Sequence, residues 1–398
     1  MKYRFVDLFC GGGGSITGAV QALAEAGQAY EGRGFNHWEL AIRTIQSNHP
    51  EVVPDFRRAC TPIEAVVPDE VFDSDPQRID CIWASPSCTH HSVAAGGKPR
   101  SNQLRSQPEH LLPYLRLTKC RRMIIENVKE LRDWGPVLDA DTTFKGKRYK
   151  AGQADPRKRG LFFSLWLREV RASGYAVDMA IMNAADYGAA TSRERLIIQA
   201  VRKSSGEKII WPEQTHAENP GLFGYAPWKS AASVINWSIK GESIYSRNRP
   251  LCANTLHRIE AGIRKYWVAN SVPLFIPQHS CGEVRPVTNP LSTITTTGSI
   301  GLVQAFLVKY YGCSTVARID APLPTIATKD HFGLIDAIAR DGRVDITHRM
   351  LTTQELASAT SFPAGYRFAG GDAAAKKQIG NAVCPDLAQA LYRAVLAA

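Results

Sequence analysis

The sequence predicts an α/β chain: a mostly parallel sheet with crossover helices, into which a smaller region of strands and irregular loops is set late. Three observations carry this prediction. Short apolar runs alternate, through the first half, with segments whose apolar residues recur every three to four positions. Beyond Val201 the Pro, Gly, Ser and Thr content rises and helical periodicity thins, and from about residue 347 that periodicity returns. At 398 residues the chain exceeds one small core. Two units are expected: 1–203 joined by 347–398, and 204–346 between them.

The first strand is RFVDLF, followed by the Gly-rich turn of DLFCGGGGS and two amphipathic helices, SITGAVQALAEAG and HWELAIRTIQSN. RIDCIWAS and RMIIENV are the next strands. FFSLWLREVRASG reads as a helix stopped by Gly174, and VDMAIMNA and RLIIQAV close the sheet. Within the insert a short unit recurs: RPLCANTL at 249, RPVTNPLSTITTTGSIGLVQ at 285 and RIDAPLPTIATKDHFGLI at 318. Three uneven copies do not make a solenoid, so duplicated strand and turn units are expected. Thr352 and Glu355 fit a capping box before LASAT, and CPDLAQALYRAVLAA, with Pro385 near its start, is a closing helix that returns the chain to the first unit.

Composition excludes several classes. No run approaches the roughly 18 apolar residues of a membrane span, and MKYRFVDLF has no apolar signal core, so a soluble cytoplasmic chain with no membrane partner is expected. Nine Cys without C-x-x-C pairs favour reduced thiols over a disulfide framework. The net charge is +11, and residues 98–160 hold sixteen Lys and Arg against seven Asp and Glu. That excess is either a solvated face or a phosphate-contacting one.

Three candidate sites lie at the ends of predicted strands. Gly11 to Gly14 permit close ligand approach beside a helix N-terminus, although the spacing is neither G-x-G-x-x-G nor a phosphate loop. Glu126 projects from the carboxyl edge of its strand, where ligands bind in open α/β sheets, or is a helix-capping or salt-bridging carboxylate. Cys88, in SPSCTHHS, reaches the same edge. With His90 and His91 it forms the nearest metal cluster, but adjacent His cannot both turn inward from an extended segment, and no second ligand pair has zinc spacing. No metal is expected; a nucleophile and a packed core thiol remain open.

DLFCGGGG, SPSC, ENV, DYGAATSRER at 186–195 and QIGNAV at 378–383, in that order, resemble the successive motifs of the DNA cytosine-5 methyltransferases. The resemblance covers about 1–203 and 347–398, and the insert falls where that family places its target-recognition domain. It implies a Rossmann-like S-adenosylmethionine-dependent core, with S-adenosyl-L-methionine as cofactor and double-stranded DNA as partner. A monomer acting in the cytoplasm of a bacterial or phage-infected cell is expected. C5 of cytosine is not nucleophilic, so the family adds a Cys thiolate to C6, and Cys88 matches that nucleophile. Glu126 matches the acid at N3, and Arg195, with Arg193 beside it, the cation near O2. Phe9 and Trp38 match aromatics on the two adenine faces. Gly11, Gly12, Gly13 and Gly14 would pass the methionine part, His37 and Pro86 line the cofactor site, and Asn381 and Val383 belong to the closing motif beside it. The target base must be flipped from the duplex. The segment after Cys88 matches the mobile loop that does so, with Lys98, Arg100 and Arg105 for phosphates. KGKRYKAGQADPRKRG at 145–160 continues that face or is a solvated linker.

The chain departs from the family at His37, where an acid usually binds the ribose, and at Cys60, the nearest alignment to the Asp that receives the adenine amino group. Ser87 replaces a Pro and Thr191 a Gln. These changes bear on the cofactor and leave Cys88, Glu126 and Arg195 in place. Alternatives are an RNA cytosine-5 methyltransferase, a catalytically silent DNA-binding relative, and a C5 transferase with a modified cofactor. Thr295, Thr296, Thr297, Lys329, Asp330 and His331 lie on predicted turns of the insert that can meet base edges or serve as ordinary turn residues.

Overall fold

The main sheet begins with β1 (Tyr3–Leu8), β2 (Tyr30–Phe35), β3 (Cys81–Ala84) and β4 (Arg122–Asn127), all parallel. β5 (Tyr175–Asn183) and β6 (Glu194–Arg202) are added antiparallel, giving the spatial order β2-β1-β3-β4-β6-β5. The structure is a computed structural model and describes residues 1–72, 79–86, 107–221, 224–263, 274–277, 285–286, 300–302, 305–309, 316–328, 332–340 and 343–397.

Alternation along the strands divides two cores. Val6, Leu8, Ile82, Ala84, Met123 and Ile125 face α3 (Leu111–Leu117) and α4 (Leu161–Ala172), burying Tyr114, Phe163 and Trp166 with them. Phe5, Cys81, Trp83, Ile124 and Ile197 face the other way, onto α1 (Gly14–Glu25), α2 (Glu39–Asn48) and the C-terminal helix α8 (Pro385–Leu396). Burial on both faces is why these strands read as continuous apolar runs rather than alternating ones. Trp83 stacks on Tyr392 at 5.9 Å, which docks α8 on the sheet. Glu25 of α1 accepts bonds from Gln389 and Arg393 at the rim of that contact.

Between α4 and α8 the chain forms α5 (Ala253–Gly262), α6 (Thr353–Ala359) and α7 (Asp372–Asn381), and an antiparallel sheet that includes β7 (Phe306–Lys309), β8 (Phe332–Arg340) and β9 (Arg343–Met350). The capping box at Thr352 and Glu355 is formed, and Pro385 opens α8. No described helix is long and apolar enough to cross a membrane.

One expectation is corrected, and two segments without an assignment are placed. YEGRGF is a strand, β2, although two Gly and two charged residues break its apolar pattern. RRACTPIEA contributes no described strand: Asp55 caps the short helix Phe56–Ala59 by accepting from the Arg57 and Arg58 amides, and a 3₁₀ turn follows Pro62. RPLCANTL runs into α5 rather than a strand, because Thr255, Ile259 and Gly262, at helical spacing, are buried together. The Pro-Leu kernel does not mark one structure in all three repeats.

Candidate active site

The carboxyl ends of β1, β3 and β4 lie on one edge of the sheet, where antiparallel β6 begins. Glu126 pairs in register with Ile197, and Arg195 sits two residues before Ile197 on the same face. The Arg195 Nε is 2.9 Å from Glu126 Oε1, in a pair whose side chains retain only 12% and 8% exposure. Glu126 is therefore a salt-bridging carboxylate, and its partner is the other motif residue. Arg195 also donates to the Glu194 carbonyl at 2.7 Å. Arg193 has a different position. Its buried guanidinium donates to the carbonyls of Ile326, at 3.2 Å, and Gly380, at 3.0 Å. One cation thus ties the turn before β6 to both the Ile326 segment and the QIGNAV segment. Arg193 is held by backbone carbonyls, whereas Arg195 is held by the Glu126 carboxylate.

Asn127, next to Glu126, was not singled out by its sequence pattern. Its Nδ2 donates to the Pro86 carbonyl at 2.9 Å and its Oδ1 accepts from the Val128 amide. The buried side chain fastens the segment after β3 to the end of β4, so Pro86 is fixed against the Glu126 strand. Cys88, His90, His91, Lys98, Arg100 and Arg105 lie outside the described residues, as do Thr295, Thr296, Thr297, Lys329, Asp330 and His331.

The Gly turn is shaped by the C-terminal segment. Tyr366 Oη donates to the Gly12 carbonyl at 2.8 Å, and a Cβ on Gly14 would overlap the Val383 carbonyl oxygen. Val383 is buried, whereas Asn381 at the end of α7 is exposed. Gly11 is different: φ is +51°, and a Cβ there would meet nothing closer than the Phe9 carbonyl at 3.8 Å. Phe9 itself has φ of 67°, an uncommon value for a bulky residue. The turn therefore leaves open space at Gly11 and closes it at Gly14.

Trp38 is partly exposed and caps α2, and Lys377 Nζ lies 4.5 Å from its ring centre, a cation–π contact. His37 is exposed. Glu39, the other carboxylate nearby, is engaged with Arg43 along α2. The backbone at Gly11 is open to an approaching group, and His37 supplies no carboxylate beside Trp38.

Asp7, in β1, is an unexpected member of this edge. It is buried, accepts a short bond from Ser15 Oγ, and leaves Oδ1 with no partner. Burial, opposed by the Ser15 bond and assisted by the Glu126 charge, pushes its carboxyl up to about 8. The sequence held a signal, an acidic residue inside a buried strand. A carboxyl whose folded pKa exceeds its unfolded value keeps its full contribution below the unfolded value, and stability is lost as pH rises toward the folded one. Relative to Asp7→Asn, the parent should lose on the order of 3 kcal/mol between pH 5 and pH 8, accruing at about 1.36 kcal/mol per unit. Urea unfolding of both proteins at the two pH values measures this; parallel pH dependences would refute a neutral buried Asp7.

No described group of three His, Cys, Asp or Glu is arranged to hold a metal ion. The sheet is an open α/β one with a Gly-rich first turn, and its carboxyl edge carries the Glu126–Arg195 pair. The solved Spodoptera frugiperda DNMT2 mutant aligns over 99% of this chain and 100% of its own, with TM-score 0.58 at 12% identity, a likeness of fold. A C-5 cytosine-specific DNA methylase model matches residues 154–397, which include Arg193, Arg195 and QIGNAV. The match spans more than half of the chain, which belongs to the C-5 cytosine-specific DNA methylase family. Type II methyltransferase M.AquIA of Picosynechococcus sp. is 28% identical over 257 residues, 59% of this chain and 89% of the relative. M.BspRI of Lysinibacillus sphaericus is 28% identical over 245 residues, 59% of this chain, and the match spans about half (53%) of that protein.

Proposed function

We propose that the chain is a DNA cytosine-5 methyltransferase that uses S-adenosyl-L-methionine. The observation that carries this is the buried Glu126–Arg195 pair at the carboxyl edge, beside the Pro86 segment that leads to Cys88. When bound, S-adenosyl-L-methionine supplies an electrophilic methyl group. Cys88 Sγ adds to C6 of a flipped cytosine, and the displaced electron pair makes C5 nucleophilic. Glu126, protonated when the flipped base enters, passes that proton to N3 as the thiolate adds and takes it back as Cys88 leaves, and Arg195 holds the O2 side, where negative charge grows. C5 would take this methyl group as its bond to the cofactor sulfur breaks, leaving a thioether. Loss of the C5 proton to a base then expels Cys88 and restores the thiolate. Gly11, Phe9 and Trp38 position the adenosyl part, and Arg193 and Asn127 hold the two catalytic segments in register.

Residues 204–346 serve as the target-recognition unit in this reading, supported by the Ile326 carbonyl that Arg193 grips at the catalytic edge. The test is direct. Purified protein is incubated with DNA of varied sequence and S-adenosyl-L-methionine, and nucleosides are examined by mass spectrometry. 5-Methylcytosine is expected with the parent and only background with Cys88→Ser; no C5-modified cytosine on any DNA would overturn the reading. DNA carrying 5-fluorocytosine, which has no C5 proton to lose, should trap a covalent adduct that requires Cys88.

A further inference from the structure

The basic stretch after β4 is not used by this mechanism. From Thr142 to Gly160 the chain holds seven Lys and Arg against the single Asp155, so these residues carry more than half of the net charge of +11. They do not form a slack linker. Thr142–Phe144 and Lys147–Tyr149 pair as an antiparallel hairpin, with Phe144 opposite Lys147. The legs below it are zipped by backbone bonds from Leu138 to Gln153, 2.8 Å, from Gly152 to Leu138, 2.7 Å, and from Asp155 to Pro136, 2.9 Å. Its root is at the candidate site: the segment leaves the carboxyl end of β4, and Lys129 pairs at 2.9 Å with Glu194, the neighbour of Arg195.

The tip is unusual. Lys145 and Gly146 have φ of 47° and 76°, the two left-handed positions of a tight hairpin turn, where Asn-Gly is the usual choice. A Lys there costs about 1–2 kcal/mol of backbone strain, so its presence at an exposed tip is not explained by stability. Lys145 lies 5.6 Å from the Phe144 ring centre and Lys147 5.6 Å from that of Tyr149, so half-buried aromatics support the ammonium stems. Asp141 takes Arg148, Asp155 takes Arg157 and Asp133 takes Arg159. Among the described residues Lys145, Lys147 and Lys150 form no ion pair with a carboxylate, and all three are exposed.

We propose that this hairpin is a DNA-backbone contact, a rigid basic arm that grips phosphates flanking the target base. The proposal rests on the reading of the chain as a DNA methyltransferase. A dense anionic ligand is what unpaired ammonium groups on a stiff arm fit, and because phosphates are sequence-independent, any duplex serves as probe. The experiment compares the parent with the Lys145→Ala/Lys147→Ala/Lys150→Ala variant for binding to a random duplex at 50–200 mM salt. Each lost phosphate contact lowers the slope of log K against log salt by about 0.9, so the variant should fall by up to about 2.7. Its Kd at low salt should rise at least tenfold. Lys→Arg at the same three positions should restore both, and Lys147→Glu alone should weaken binding further than Lys147→Ala. An unchanged Kd and slope in a triple variant that melts like the parent overturns the hairpin proposal while a parent that binds and methylates DNA leaves the enzyme reading standing. A parent that neither binds duplex DNA with salt dependence nor yields 5-methylcytosine overturns both.

Discussion

Arg195→Ala is expected to destabilise the protein by about 3–5 kcal/mol, because it leaves the Glu126 carboxylate buried without its partner. The pair is nearly closed to solvent, so water cannot replace the guanidinium as it would at a surface pair, where the same truncation costs about 0–1 kcal/mol. Glu126→Gln separates stability from catalysis. The amide keeps the shape and can still accept from Arg195 while removing the group that serves N3, so kcat should fall by about 10²–10³ with a smaller stability change. Denaturant unfolding of the two single variants and of the double variant gives the coupling energy. Cofactor binding, measured by calorimetry, should survive Glu126→Gln because Gly11, Phe9 and Trp38 are untouched. A loss below 1 kcal/mol for Arg195→Ala, or near-parental kcat for Glu126→Gln, would show that the pair is not the charged centre of the site.

Much of this site was legible because its residues sit at strand ends, and the strands themselves are marked by apolar runs. RMIIENV places Glu126 at a carboxyl edge, and RLIIQAV brings Arg195 to the same edge once the strands pair antiparallel. What the sequence concealed depends on long-range contacts. Nothing in SRER distinguishes Arg193 from Arg195; the distinction comes from the Ile326 and Gly380 carbonyls, 133 and 187 residues away. Tyr366 gave no local sign that its hydroxyl would reach Gly12, and Lys377 none that it would cover Trp38. β2 was obscured by its own glycines and charges, and α5 by a Pro-Leu kernel shared with strand-forming segments. Local periodicity reports which face is apolar; it does not report which distant carbonyl will fill the space beside a glycine.

Gly14→Ala should be the most damaging single methyl in the molecule's Gly turn. The added carbon would overlap the Val383 carbonyl, a backbone group held between the end of α7 and Pro385 at the start of α8. A flexible side chain could swing aside, but this neighbour can move only if α8 lifts from α1, and that contact includes Ala19, Leu23, Leu387 and Leu391 of one core. Overpacking typically costs about 1–3 kcal/mol, and a backbone obstacle places this case at the upper end or beyond. Gly11→Ala makes the informative contrast. Its new methyl would find open space, and the cost is the left-handed φ of +51°, about 1–2 kcal/mol. On the proposed reading, however, the methyl would project where the cofactor approaches. Gly14→Ala should therefore lower the unfolding free energy most, whereas Gly11→Ala should weaken S-adenosyl-L-methionine binding more than its stability loss explains. Melting curves and calorimetric titration of both variants test the assignment; a Gly14→Ala protein as stable as the parent would mean that the closing segment does not pack on the turn as the Val383 contact requires.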